Sequence, residues 1–63
     1  MKIIYETSTK DYMIYRSGNE LMCSIRRKEN PHYIIKQFNV YNNQDDLDGL
    51  PVEVKNKVFK EMI

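Results

Sequence analysis

Residues 12–25 read Tyr12-Met13-Ile14-Tyr15-Arg16-Ser17-Gly18-Asn19-Glu20-Leu21-Met22-Cys23-Ser24-Ile25, and this stretch decides the fold. Two β-rich runs flank Gly18-Asn19, a dipeptide suited to a two-residue turn that needs positive φ. With those two residues at the tip, Ser17 falls opposite Glu20, Arg16 opposite Leu21, Tyr15 opposite Met22 and Ile14 opposite Cys23. The same register sets Tyr12 against Ile25 and Asp11 against Arg26. Opposed residues of an antiparallel pair share a face. One face then holds Tyr12, Ile14, Leu21, Cys23 and Ile25, with Arg16 at its edge. The other holds Met13, Tyr15, Met22 and Ser24, with a cross-strand Asp11–Arg26 ion pair. The first face is the better core.

Outward from the hairpin the pattern predicts two more strands. Residues 2–6 are short and β-branched, and Thr7-Ser8-Thr9-Lys10 turns them back toward a strand over 11–17. The third strand covers 20–27. Asn30-Pro31 then supplies turn chemistry before a run over 32–41 that is rich in Tyr, Ile, Phe and Val. That run carries apolar residues on both faces, so its register stays open. Asn42 to Asp46 has loop composition. Beyond it the spacing predicts a helix over 51–62, with Pro51 in the first helical position and acidic residues leading in. Val54, Val58 and Met62 recur every four residues, Val52 and Phe59 widen the stripe, and Lys55 must snorkel. The expected fold is α+β, within a single domain over 1–63: an antiparallel meander of about four strands, then one C-terminal helix packed on one face.

Composition narrows the function. At 63 residues there is room for one small core, and a chain this short buries only about 60% of the surface it exposes unfolded. The longest apolar run, residues 12–15, is far short of the ~20 residues of a membrane span, and with a charged start no secretory signal is expected. One cysteine excludes an internal disulfide framework. A net charge of +1 gives no global field toward nucleic acid or membrane, although seven basic and four acidic residues lie in 1–41 against three and five in 42–63. Ile, Lys, Asn and Tyr dominate and alanine is absent. That usage points to a low-GC genome, a bacterium or its virus, and to a cytoplasmic protein (host cytoplasm if viral).

Chemistry-bearing groups are few. Cys23 and His32 could form a dyad, but the register turns Cys23 inward and nothing supplies a third orienting group. A small ribonuclease toxin centred on His32, with Arg26, Arg27 and Lys28 holding phosphate charge, is the better enzyme reading. Read in a calcium-loop frame, Gln44 to Gly49 puts Lys55 where the closing glutamate belongs, so the acidic run reads as a helix lead-in. No metal or cofactor is expected. Arg26, Arg27, Lys28 and Lys36 interleave with Tyr33, the pattern by which sheet-faced modules hold single-stranded nucleic acid. The leading reading is a non-catalytic interaction module. One helix cannot cover both sheet faces, which leaves Met13, Tyr15 and Met22, with Ile35 and with Arg16 at the edge, to meet a second copy of the chain or another protein. Such a module would serve as a small homodimeric regulator or inhibitor of a host macromolecule, with nucleic-acid binding as the alternative.

Overall fold

In the computed structural model, which describes residues 2–62, the hairpin forms in the expected register from Ser17 opposite Glu20 to Asp11 opposite Arg26. Strand β2 spans Lys10–Ser17 and β3 spans Glu20–Arg27. At the tip Gly18 takes φ +61, and no other described residue has positive φ. A single positive φ at the first central position is what a type II′ turn requires. The turn thus depends on Gly18 and asks nothing unusual of Asn19.

Strands β1 (Lys2–Glu6) and β4 (Ile34–Asn39) flank the hairpin, giving an antiparallel sheet in the order β1-β2-β3-β4. Both edge ladders are interrupted. In β1 the pairing jumps at Ile4, between Ile3 opposite Met13 and Tyr5 opposite Tyr12. In β4 it jumps at Ile35, between Lys36 opposite Ile25 and Ile34 opposite Arg26. Each jump is a β-bulge, one residue more on the edge strand than on its partner.

β4 is shorter than the 32–41 run suggests, for reasons visible at both ends. Before it, Tyr33 N–H donates to Asn30 O at 2.9 Å and His32 N–H to Asn30 Oδ1 at 3.3 Å, so the Asn-Pro turn consumes residues 30–33. After it, Asn39 Oδ1 accepts from Tyr41 N–H at 3.1 Å and starts a 3₁₀ turn over Val40–Asn42. The segment expected to be loop also differs. Gln44–Asp48 forms a short helix, α1, with Leu47 fully buried; its end is closed by Gly49 N–H on Asp45 O at 3.1 Å and Leu50 N–H on Leu47 O at 3.2 Å.

Helix α2 spans Val52–Met62, and the Pro51 carbonyl accepts its first helical bond from Lys55 N–H at 2.9 Å. Val54 and Val58 are fully buried, Met62 packs partly against the core and Lys55 is half-buried. Val52 and Phe59, by contrast, remain 65% and 41% exposed, so the apolar stripe is narrower than expected. At 3.6 residues per turn both project well around the helix from Val54 and Val58, toward solvent.

The core joins Tyr12, Ile14, Leu21, Cys23, Ile25 and Phe38 from one sheet face to Leu47, Leu50, Val54 and Val58 above it. Both helices therefore cover the same face. Two cations fasten the end of α2: Lys2 Nζ pairs with the Glu61 carboxylate, and Arg16 Nη2 donates to the Glu61 carbonyl at 2.7 Å. A cation on a last-turn carbonyl is favourable twice, through the hydrogen bond and through the helix dipole. The Lys2 hydrogen bond holds the Glu61 carboxyl below the usual range.

Cys23 lies at the centre of this core with no exposed surface, and burial pushes its thiol up to about 11 from 9.0. A raised folded-state pKa means that the native state favours the protonated thiol. That contribution is fully present below pH 9 and is lost as pH rises through about 11. A roughly hundredfold difference in proton affinity is worth about 3 kcal/mol. Urea unfolding of the wild-type chain is therefore expected to show a larger loss of stability above pH 9 than that of Cys23→Ala. A thiol reagent should label Cys23 slowly in the native chain and quickly once it is denatured.

Candidate interaction surfaces

The face away from the helices is built in cross-strand rows. One row runs Ile3, Met13, Ser24, Gln37, and the next runs Tyr15, Met22, Asn39. Met13, Tyr15 and Met22 are half-buried, and Ile3 stands 47% exposed. These four side chains make an apolar centre. Sequence reasoning misses Ile3 because the bulge at Ile4 sets which β1 residue meets Met13.

Both ends of the apolar centre are polar. At one end Asn39 Nδ2 donates to Glu20 Oε2 at 2.9 Å. At the other, Lys28 Nζ lies 2.9 Å from Asp11 Oδ1 and 3.5 Å from Glu6 Oε1. The buried Asp11 Oδ1 accepts no hydrogen bond in good geometry, so its contact with Lys28 is an ion pair. Asp11 beside it is the main reason the Lys28 ammonium titrates above its usual range. The Asp11–Arg26 ion pair expected from the register is not formed. Arg26 instead lies back along its own strand, donating from Nε to Ser24 Oγ at 3.0 Å and from Nη1 to Pro31 O at 3.3 Å. That leaves Asp11 to Lys28, and it helps explain why a serine on this face is fully buried.

The other residues expected at the interface go elsewhere. Arg16 turns toward the helical layer, where it also donates to Tyr41 Oη at 3.3 Å. Ile35, the bulged residue, lines a hollow of about 290 Å³ with Thr9, Lys10, Arg27 and Tyr33.

The candidate nucleic-acid set is likewise divided. Arg27 lies 5.0 Å from the Tyr33 ring centre and 3.6 Å from Glu29, so Arg27 and Tyr33 do come together. Lys36 pairs with Asp46 of α1, Lys28 with the two carboxylates, and Arg26 with neutral groups of its own face. Four cations bound to separate intrachain partners do not make one stripe that could track a phosphate backbone.

His32 is exposed, and among the described residues its ring makes no hydrogen bond, while Cys23 is sealed in the core. The two do not share an environment. The calcium-loop frame is lost because Gln44–Asp48 is helical. No group of three or more His, Cys, Asp or Glu side chains is placed to hold a metal among the described residues. No described helix is long and apolar enough to cross a membrane. Comparison with protein-family models, with curated proteins and with solved structures finds no match to this chain.

Proposed function

We propose that this chain is a non-catalytic protein-interaction module that self-associates through the helix-free face of its sheet. One observation carries the reading: Ile3, Met13, Tyr15 and Met22 form an apolar centre with polar ends on a face that neither helix covers. An apolar centre with a polar rim is the usual anatomy of a protein interface. A twofold dimer sets such a patch against its own copy, as most soluble homo-oligomers do. In this role the chain acts as a small regulator or inhibitor that blocks or tethers a second macromolecule. Its codon-biased composition supports a setting in the cytoplasm of a low-GC bacterium, including one hosting a virus.

Magnitude sets the strength. Full burial of a large apolar side chain is worth roughly 1.5–3 kcal/mol, and Met13, Tyr15 and Met22 have already gained part of it within the monomer. Association in the micromolar range, not the nanomolar, is the expected result. Tyr15→Glu would set a carboxylate against the apolar patch of the second copy and abolish the dimer. Sedimentation from micromolar upward, with circular dichroism to verify folding, checks this. A folded monomer whose behaviour Tyr15→Glu leaves unchanged would remove self-association.

Nucleic-acid binding is the second reading, favoured only by Arg27 stacked on Tyr33 with Lys10 opposite Arg27 in register. Its mark would be binding of single strands that weakens steeply with salt.

A further inference from the structure

The outer edge of β1 and the flank of α2 enclose a groove on the other side of β1 from the hairpin. Two hollows lie end to end along it. The first, about 240 Å³, is bounded by Lys2, Ile3 and Ile4 on the strand and by Lys57, Lys60 and Glu61 on the helix. The second is wider and more open, about 510 Å³, and continues past Tyr5 to Glu6. Ile3, Ile4 and Lys57 border both, so together they form one trough along the whole of β1. Five strand residues extend roughly 16 Å.

Three properties of this trough converge. β1 is terminal in the sheet, so its outward N–H and C=O groups meet no other described strand. The strand wall is apolar where the hollows overlap, with Ile4 buried and Ile3 exposed. The helix wall is cationic: Lys57 and Lys60 are exposed, and neither pairs with a carboxylate among the described residues. The nearby strand charges are already engaged, Lys2 with Glu61 and Glu6 with Lys28.

We propose that this groove takes an extended, acidic peptide segment of a partner protein, added as a fifth strand beside β1. The inference rests on reading the chain as an interaction module and names the chemistry of its target. Strand addition draws affinity from backbone hydrogen bonds and specificity from alternate side chains. Here alternate apolar side chains of the peptide would meet Ile3 on the helix-free side, and its carboxylates, on the helix side, would meet Lys57 and Lys60. A strand edge alternates donors with acceptors. A peptide backbone matches that alternation, whereas a phosphodiester backbone only accepts. The bulge at Ile4 adds local twist, which limits the added pairing to a short segment and disfavours a second whole sheet.

The test is a titration of the isotope-labelled full chain, followed by amide shifts and hydrogen exchange. The probe is a pool of peptides of about ten residues in which Glu or Asp alternates with Val, Ile, Thr or Tyr. Shifts are expected in residues 2–6 and 57–61, with slowed exchange in β1. The double charge reversal K57E/K60E should weaken binding at least tenfold while leaving the amide spectrum of the sheet in place. A matched pool with Gln and Asn in the acidic positions should bind at least tenfold more weakly. No shift in β1 at millimolar peptide would overturn the proposal, as would equal binding of the neutral pool or stronger binding of an oligothymidylate. Shifts confined to Met13, Tyr15 and Met22 would overturn it too, by moving the peptide to the sheet face. Loss of the sheet-face dimer in sedimentation leaves these outcomes unaffected, so the two claims fail separately.

Discussion

Val58→Asp is expected to leave the chain unfolded at room temperature, whereas Lys57→Glu, one position earlier, leaves it folded. Val58 has no exposed surface and lies in the cluster with Leu47, Leu50 and Val54. An aspartate there would bury a carboxylate with no partner among those side chains, at a cost of several kcal/mol. A chain of 63 residues has roughly 3–9 kcal/mol of stability to lose, at the per-residue scale of ordinary domains. Lys57 is exposed, and reversal of its charge should change stability by no more than about 0.5 kcal/mol. Far-ultraviolet circular dichroism with thermal unfolding decides between them. Equal damage from both changes would mean that α2 is rotated about its axis.

Leu47→Ala should destabilise the chain by about 2–5 kcal/mol, the range for truncating a buried leucine. A five-residue helix cannot stand alone, because nucleation costs more than so few hydrogen bonds return. Burial of Leu47 is what holds α1 in place, and Lys36 paired with Asp46 adds a tether at the surface. The control is Asp48→Ala, at an exposed position whose Oδ1 accepts from Gln44 Nε2 at 3.0 Å. It should cost only a few tenths of a kcal/mol. Urea unfolding of both variants checks the contrast. If Leu47→Ala costs no more than Asp48→Ala, residues 44–48 behave as loop.

The hairpin is legible because turn chemistry and alternation specify the same register, and a one-residue slip would expose the core face. Met13, Tyr15 and Met22 are legible together for that reason. The bulges at Ile4 and Ile35 are not, since one extra residue in an edge strand has no compositional mark, and with them goes the placement of Ile3 and Ile35. Opposition across strands also does not decide an ion pair. Arg26 faces Asp11 in register, yet its long side chain finds Ser24 and Pro31 O, and Lys28 takes the carboxylate. α1 is hidden because five residues are too few to show a helical period, and their Asp and Gln content matches a loop. The β1–α2 groove depends on residues 2–6 meeting residues 57–61. No local pattern encodes a meeting so distant in the chain.

The strict meander order also governs how the chain reaches its native state. Each strand pairs only with its neighbour in sequence, so three short loop closures complete the sheet before any distant contact is needed. Low sequence separation lowers the entropic barrier and speeds folding. Seating α2 comes at a different cost, because Lys2 and Arg16 grip the Glu61 end only after nearly the whole chain has been gathered. The four strands are therefore able to pair while α2, which seals Cys23 and Ile14, is still unseated. For that interval the future core is the accessible face, and both faces of the sheet are open.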